Sequence, residues 1–123
     1  MRARLAAPVT RAAALAAAVA LAANLFIPAA RPEIAGFVPA PWDKLLHLVY
    51  FFALAMLLSV ADAGRRPIFV AMIAVAVGGA DEWNQTFQPE RDASLADFLA
   101  DCLGAAAGAA AGRWLIPRGA GAR

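Results

Sequence analysis

Cysteine is almost missing from this 123-residue chain, where Cys102 stands alone. One thiol excludes an internal disulfide and a thiolate metal motif, and leaves Cys102 as a small apolar residue in an apolar run. Charge is scarce too, at 16% of residues against about 25% in an average soluble domain. The net charge is only +2 and the arginines are scattered, which argues against nucleic acid as a partner. Histidine, lysine and tyrosine occur once each, as His47, Lys44 and Tyr50. H-E-x-x-H, P-loop and exposed Ser or Cys nucleophile motifs are all missing. What the chain has in excess is apolar residues, 63% against about 45–50% in an average domain. So small a core cannot bury that excess, and its natural solvent is lipid.

Four apolar stretches predict four membrane-spanning helices, at residues 12–30, 45–61, 68–87 and 94–116, in a single domain covering residues 1–123. The first is alanine-rich and follows a start bearing Arg2, Arg4 and Arg11. A cleaved signal peptide also has a basic start and an apolar middle, though no tidy small-x-small site follows here. Asn24 within it suits a hydrogen bond to a neighbouring helix. Residues 31–42 read as a loop, because Pro28, Pro32, Pro39 and Pro41 lie in or beside them. Trp42 ends that loop where an interfacial indole belongs. Residues 62–67, with Arg65 and Arg66, form a short turn, and 88–93 a tight polar loop. Most arginines fall at the N-terminus, in the 62–67 turn and from Arg113 onward. Basic residues stay on the cytoplasmic side, which predicts an all-α, antiparallel four-helix membrane bundle with both termini cytoplasmic.

The organising stretch runs from Gly78 to Asp97, out of the third span and into the fourth. Asp43, His47 and Tyr50 share one helical stripe; Gly78, Glu82 and Gln85 share another; Asp97, Asp101, Gly104 and Gly108 a third. His47, Tyr50, Glu82, Gln85, Asp97 and Asp101 fall within about 5–12 Å of the outer ends of their spans. Lipid cannot solvate such groups, so they should meet one another or line a wet cavity. Plainer accounts exist for several. Ser94 and Asp97 are spaced as a capping box. Arg91 can pair with Glu90 or Asp92 at the surface. Lys44 can snorkel to the headgroups. A histidine on an apolar helix is often just hydrogen-bonded packing. Gly104, Gly108 and Gly112 form a small-xxx-small ladder for close helix packing. Glu82 and Asp101 lack a capping role by position, and Glu82, Asp97 and Asp101 outnumber the inward-reaching Lys44 and Arg91. Such an excess calls for protonated acids or a bound cation.

Asp43-Lys44-Leu45-Leu46-His47-Leu48-Val49-Tyr50, then Glu82-x-x-Gln85, Pro89-x-Arg91-x-x-Ser94-x-x-Asp97 and Gly104 resemble the signature of the VanZ-like family, small bacterial membrane proteins of several helices. The resemblance covers residues 43–108 and implies a cell-envelope setting. The family's namesake is associated with teicoplanin resistance, which implies an accessory role of the glycopeptide-resistance kind. Asp101 stands where the family usually has Asn, and Asp81 where an apolar residue usually precedes the glutamate, so both departures add negative charge.

Three functions fit. The first is an envelope protein whose outward-facing polar site binds a lipid headgroup, a lipid-linked wall precursor or an amphiphilic antibiotic. Asp43, Lys44, His47, Tyr50, Glu82, Gln85, Arg91, Asp97 and Asp101 would form that site, with Gly78, Gly104, Gly108 and Gly112 packing the helices. The second is an intramembrane metal or acid–base enzyme, with His47, Glu82, Asp97 and Asp101 as its catalytic candidates. A divalent cation is compatible with those acids, though no motif indicates one. The third is a proton-linked carrier, for which four spans would need oligomerisation.

Overall fold

The computed structural model describes residues 1–5 (2 and 3 as backbone only), 7–27, 39, 41–87 and 94–116. All regular structure among these residues is α-helix. A short α1 (Arg2–Leu5) precedes four long helices, α2 (Pro8–Asn24), α3 (Trp42–Ala61), α4 (Pro67–Gln85) and α5 (Leu95–Leu115). Residues 31–38 and 40 of the expected 31–42 loop, the 88–93 loop with Arg91, and the tail from 117 lie outside the described residues.

The first helix differs most from expectation. It begins at Pro8 rather than 12 and ends at Asn24 rather than 30. Proline suits a first turn, where its missing N–H costs nothing, and alanine propagates a helix well, so the helix starts before Arg11. It stops short of Pro28 because a residue before proline disfavours helical backbone. Asn24 is exposed in the last turn rather than turned to a neighbour. α3 begins three residues before the expected span, at Trp42, with Asp43 in its first turn, where a carboxylate suits the helix dipole. Between α3 and α4, the Asp62 carboxylate accepts from Arg66 Nε at 2.8 Å and from the Arg66 amide. Ala63 and Gly64 there take left-handed backbone, with φ of 57° and 67°.

The most extensive helix contact joins α3 and α5. A Cβ added to Gly104 would strike the Leu48 carbonyl; one on Gly108 would lie 2.5 Å from the Phe52 carbonyl oxygen; one on Gly112 would strike Ser59. The contacts climb both helices together, so α3 and α5 run in the same direction, backbone to backbone. α4 runs opposite to α5, with Gly78 beside Asp101, Gly79 beside Phe98 and Glu82 bonded to Ser94. α2 runs opposite to α3: Arg11 Nε donates to the Ala61 carbonyl at 3.0 Å, and the Tyr50 hydroxyl donates to the Leu21 carbonyl. Ala18, Phe51, Leu54, Ala55, Val70, Ala74, Ala105 and Ala109 form a shared core from all four long helices.

Outside that core the usual arrangement is inverted. Large apolar side chains face outward on every long helix, among them Val19, Leu46, Val49, Met72, Leu99 and Leu103. Asp81, Glu82, Gln85, Asp97 and Asp101 are buried. Two helices, Trp42–Ala61 and Leu95–Leu115, are long and apolar enough to cross a membrane.

Candidate functional site

The polar cluster sits where α3 and α5 begin and α4 ends. Its frame is the start of α5. Ser94 is the N-cap, and its Oγ accepts the Asp97 amide at 3.3 Å. In a capping box the Asp97 carboxylate would return to the Ser94 amide. Here Glu82 of α4 takes that amide instead, with Oε2 3.0 Å from the Ser94 nitrogen. Glu82 thus does serve a helix start, that of α5, which spacing along its own helix conceals.

Asp97 is thereby free to face α3. Lys44 Nζ lies 2.5 Å from Asp97 Oδ1 and 2.8 Å from Asp43 Oδ2. His47 Nδ1 lies 2.8 Å from Asp101 Oδ1, and His47 Nε2 lies 3.8 Å from Asp97 Oδ2. With Asp101 ionised and acceptor-only, the contact puts a hydrogen on Nδ1 and turns Nε2 toward Asp97. Asp101 is fully buried, and Gly78 makes room for it: a Cβ there would lie 3.1 Å from Asp101 Cβ and 3.2 Å from its Oδ2. Buried Glu82 Oε1 and Asp101 Oδ2 have no hydrogen-bond partner among the described residues. Such groups cost about 1–3 kcal/mol each when left unanswered.

The expected residues therefore divide. Lys44, His47, Glu82, Asp97 and Asp101 meet from three helices, with Asp43 at their edge. Tyr50 shares its helix with His47 yet turns to α2, bonding the Leu21 carbonyl. Gln85 bonds within its own helix, Nε2 donating to Asp81 Oδ2 at 3.2 Å. Arg91 lies outside the described residues. Asp81, fully buried, was not among the expected site residues. Its spacing of three from Gly78 and four from Gln85 is the signal that marks its face. The cluster is acid-rich: Asp43, Asp81, Glu82, Asp97 and Asp101 are five of the chain's nine acids, against Lys44 and His47.

Beside it, between α4 and α5, an open cleft of about 370 Å³ is lined by Gly79, Glu82, Ser94, Leu95 and Phe98. Its walls are mostly apolar and its polar end is Glu82 and Ser94.

Fold and site together define a small all-α protein of outward-apolar helices carrying a buried carboxylate cluster at one end. The family profile described as VanZ/LLP1 matches residues 7–116, and the chain belongs to the VanZ-like family. The match takes in α2 as well as the 43–108 signature. No curated protein and no solved structure matches the chain.

Proposed function

We propose that this VanZ-like protein is a multi-pass protein of the bacterial inner membrane that holds the polar head of an envelope amphiphile. That amphiphile is a phospholipid, a lipid-linked wall precursor or an amphiphilic antibiotic. The observation that carries the reading is the α4–α5 cleft, apolar along Gly79, Leu95 and Phe98 and polar at Glu82 and Ser94. An acyl or prenyl chain suits the first part, and a hydrogen-bonding headgroup the second. The charge pattern supports the orientation. Arg11, Arg65, Arg66 and Arg113 gather at the end opposite the carboxylates, since Arg11 reaches Ala61 at the close of α3. Basic residues stay cytoplasmic, so the acid cluster faces outward. Trp42 and Trp83, both exposed, lie near the cluster's end, and exposed Trp114 near the other, as interfacial indoles do.

Native mass spectrometry of protein released in mild detergent tests the reading. The wild type is expected to retain an amphiphile mass. Gly79→Leu, which fills the cleft and leaves every acid of the sequence unchanged, is expected to lose it. A bare wild type, or equal retention in both, would end this reading.

A further inference from the structure

We propose that His47, Glu82 and Asp97 form a divalent-cation site of one imidazole and two carboxylates, closed between α3, α4 and α5. One donor atom from each residue lies within 4.8 Å of the other two. Donors around a common ion at about 2.0–2.2 Å stand roughly 3–3.5 Å apart, so about 1 Å of side-chain adjustment closes the set.

Proximity among acids would not suffice alone. The second observation is how each donor is held. His47 Nδ1 is engaged by Asp101 at 2.8 Å, which turns Nε2 toward Asp97. Carboxylate behind imidazole is the arrangement that orients metal-binding histidines. Asp97 gives Oδ1 to Lys44, leaving Oδ2 3.8 Å from His47 Nε2. Glu82 gives Oε2 to the Ser94 amide, and its Oε1 is buried with no hydrogen-bond partner among the described residues, on a residue only 8% exposed. Each residue is thus anchored through one atom and presents another. Two carboxylates and a dication sum to zero charge, which suits a poorly solvated position. Lys44 stays with Asp43 and the far oxygen of Asp97, so it does not bring uncompensated charge. An imidazole in the set favours Zn²⁺, or another late first-row ion such as Ni²⁺, over Mg²⁺. Three protein donors leave a position open on the ion. Its use for an anionic headgroup oxygen rests on the function proposed above; the ion site itself does not.

The test uses the full, tag-free chain in detergent, stripped with chelator and reloaded with Zn²⁺ alone. The expected result is about one zinc per chain after desalting. His47→Gln and Glu82→Gln should each weaken binding about 100-fold or more, and Asp101→Asn about 10–100-fold. Cys102→Ser and Asp62→Asn should bind as the wild type does. A wild type that retains no zinc, binding unchanged in His47→Gln, or binding lost in Cys102→Ser would each overturn the proposal. A measurement on the wild type covers variants that fail to fold. His47 is the only histidine, so imidazole nitrogen modulation in the electron spin echo of Cu²⁺-loaded protein reports it alone. Its absence would also overturn the site. These experiments read metal binding and not amphiphile retention, so their failure leaves the cleft reading standing.

Discussion

Ser94 satisfies its backbone and side chain from two different helices. Its Oγ caps its own helix through Asp97, while its amide goes to Glu82. That exchange decides what Asp97 does. A capping-box acid would be spent on the Ser94 amide, whereas this one meets Lys44 and His47. The spacing of Ser94 and Asp97 was legible in the sequence, but the substitution of a residue twelve positions upstream was not, because a capping partner from another helix leaves no local pattern. Hydrogen exchange can follow it. The Ser94 amide should stay protected in Asp97→Ala and lose protection by roughly tenfold or more in Glu82→Ala, as removal of a hydrogen bond worth about 1.5 kcal/mol implies. Protection that falls in Asp97→Ala instead would restore the ordinary capping box. Tyr50 teaches the complementary lesson. Helical spacing placed it on a stripe with His47, yet a stripe three and four residues long spans two neighbours, and Tyr50 reaches the one on the α2 side.

Among elements, the number of long helices and the bounds of the later three were legible to within three residues, since each is a long apolar run between prolines or charges. The first was not, because alanine propagates a helix without marking its ends by hydrophobicity, and the prolines at 8 and 28 set the limits. Which helices touch was also beyond the pattern. The small-xxx-small ladder announced a close approach, but only the structure assigns α3 as the partner. Two glycines on neighbouring helices separate packing from propensity. Gly104→Ala should cost roughly 1–3 kcal/mol, since the methyl group meets the immobile Leu48 carbonyl. At Gly79→Ala the new methyl group meets only Phe98 at 3.6 Å, and the helix should gain up to about 1 kcal/mol. Thermal unfolding in detergent reads both, and a Gly104→Ala chain as stable as the wild type would remove the close packing.

At the scale of the whole molecule, polarity runs in two directions. Across the helices it is inverted, with leucine and valine outward and carboxylates inward. Along them it is segregated among the described residues, with every acid but Asp62 at one end and the arginines at the other. Composition alone disclosed the first, and the placement of arginines disclosed the second. The proposed orientation is open to labelling in a Cys102→Ser background. A thiol at Phe87→Cys, exposed beyond the end of α4, should react with an impermeant maleimide on intact spheroplasts. One at Arg66→Cys should react only after permeabilisation. The opposite order would turn the protein over in its membrane.

The glycine ladder also sets what can slide. If α5 slipped one turn along α3, either Ala100 or Ile116 would have to occupy a place that only a bare Cα fits. The register is therefore notched at single-turn intervals, and both neighbouring notches are blocked by a side chain. His47, Asp97 and Asp101 ride on those two locked helices, like marks on one ruler. Glu82 rides on α4, outside the lock. If the site opens and closes, the stroke belongs to α4, and the Ser94 amide that Glu82 grips is the latch it must release.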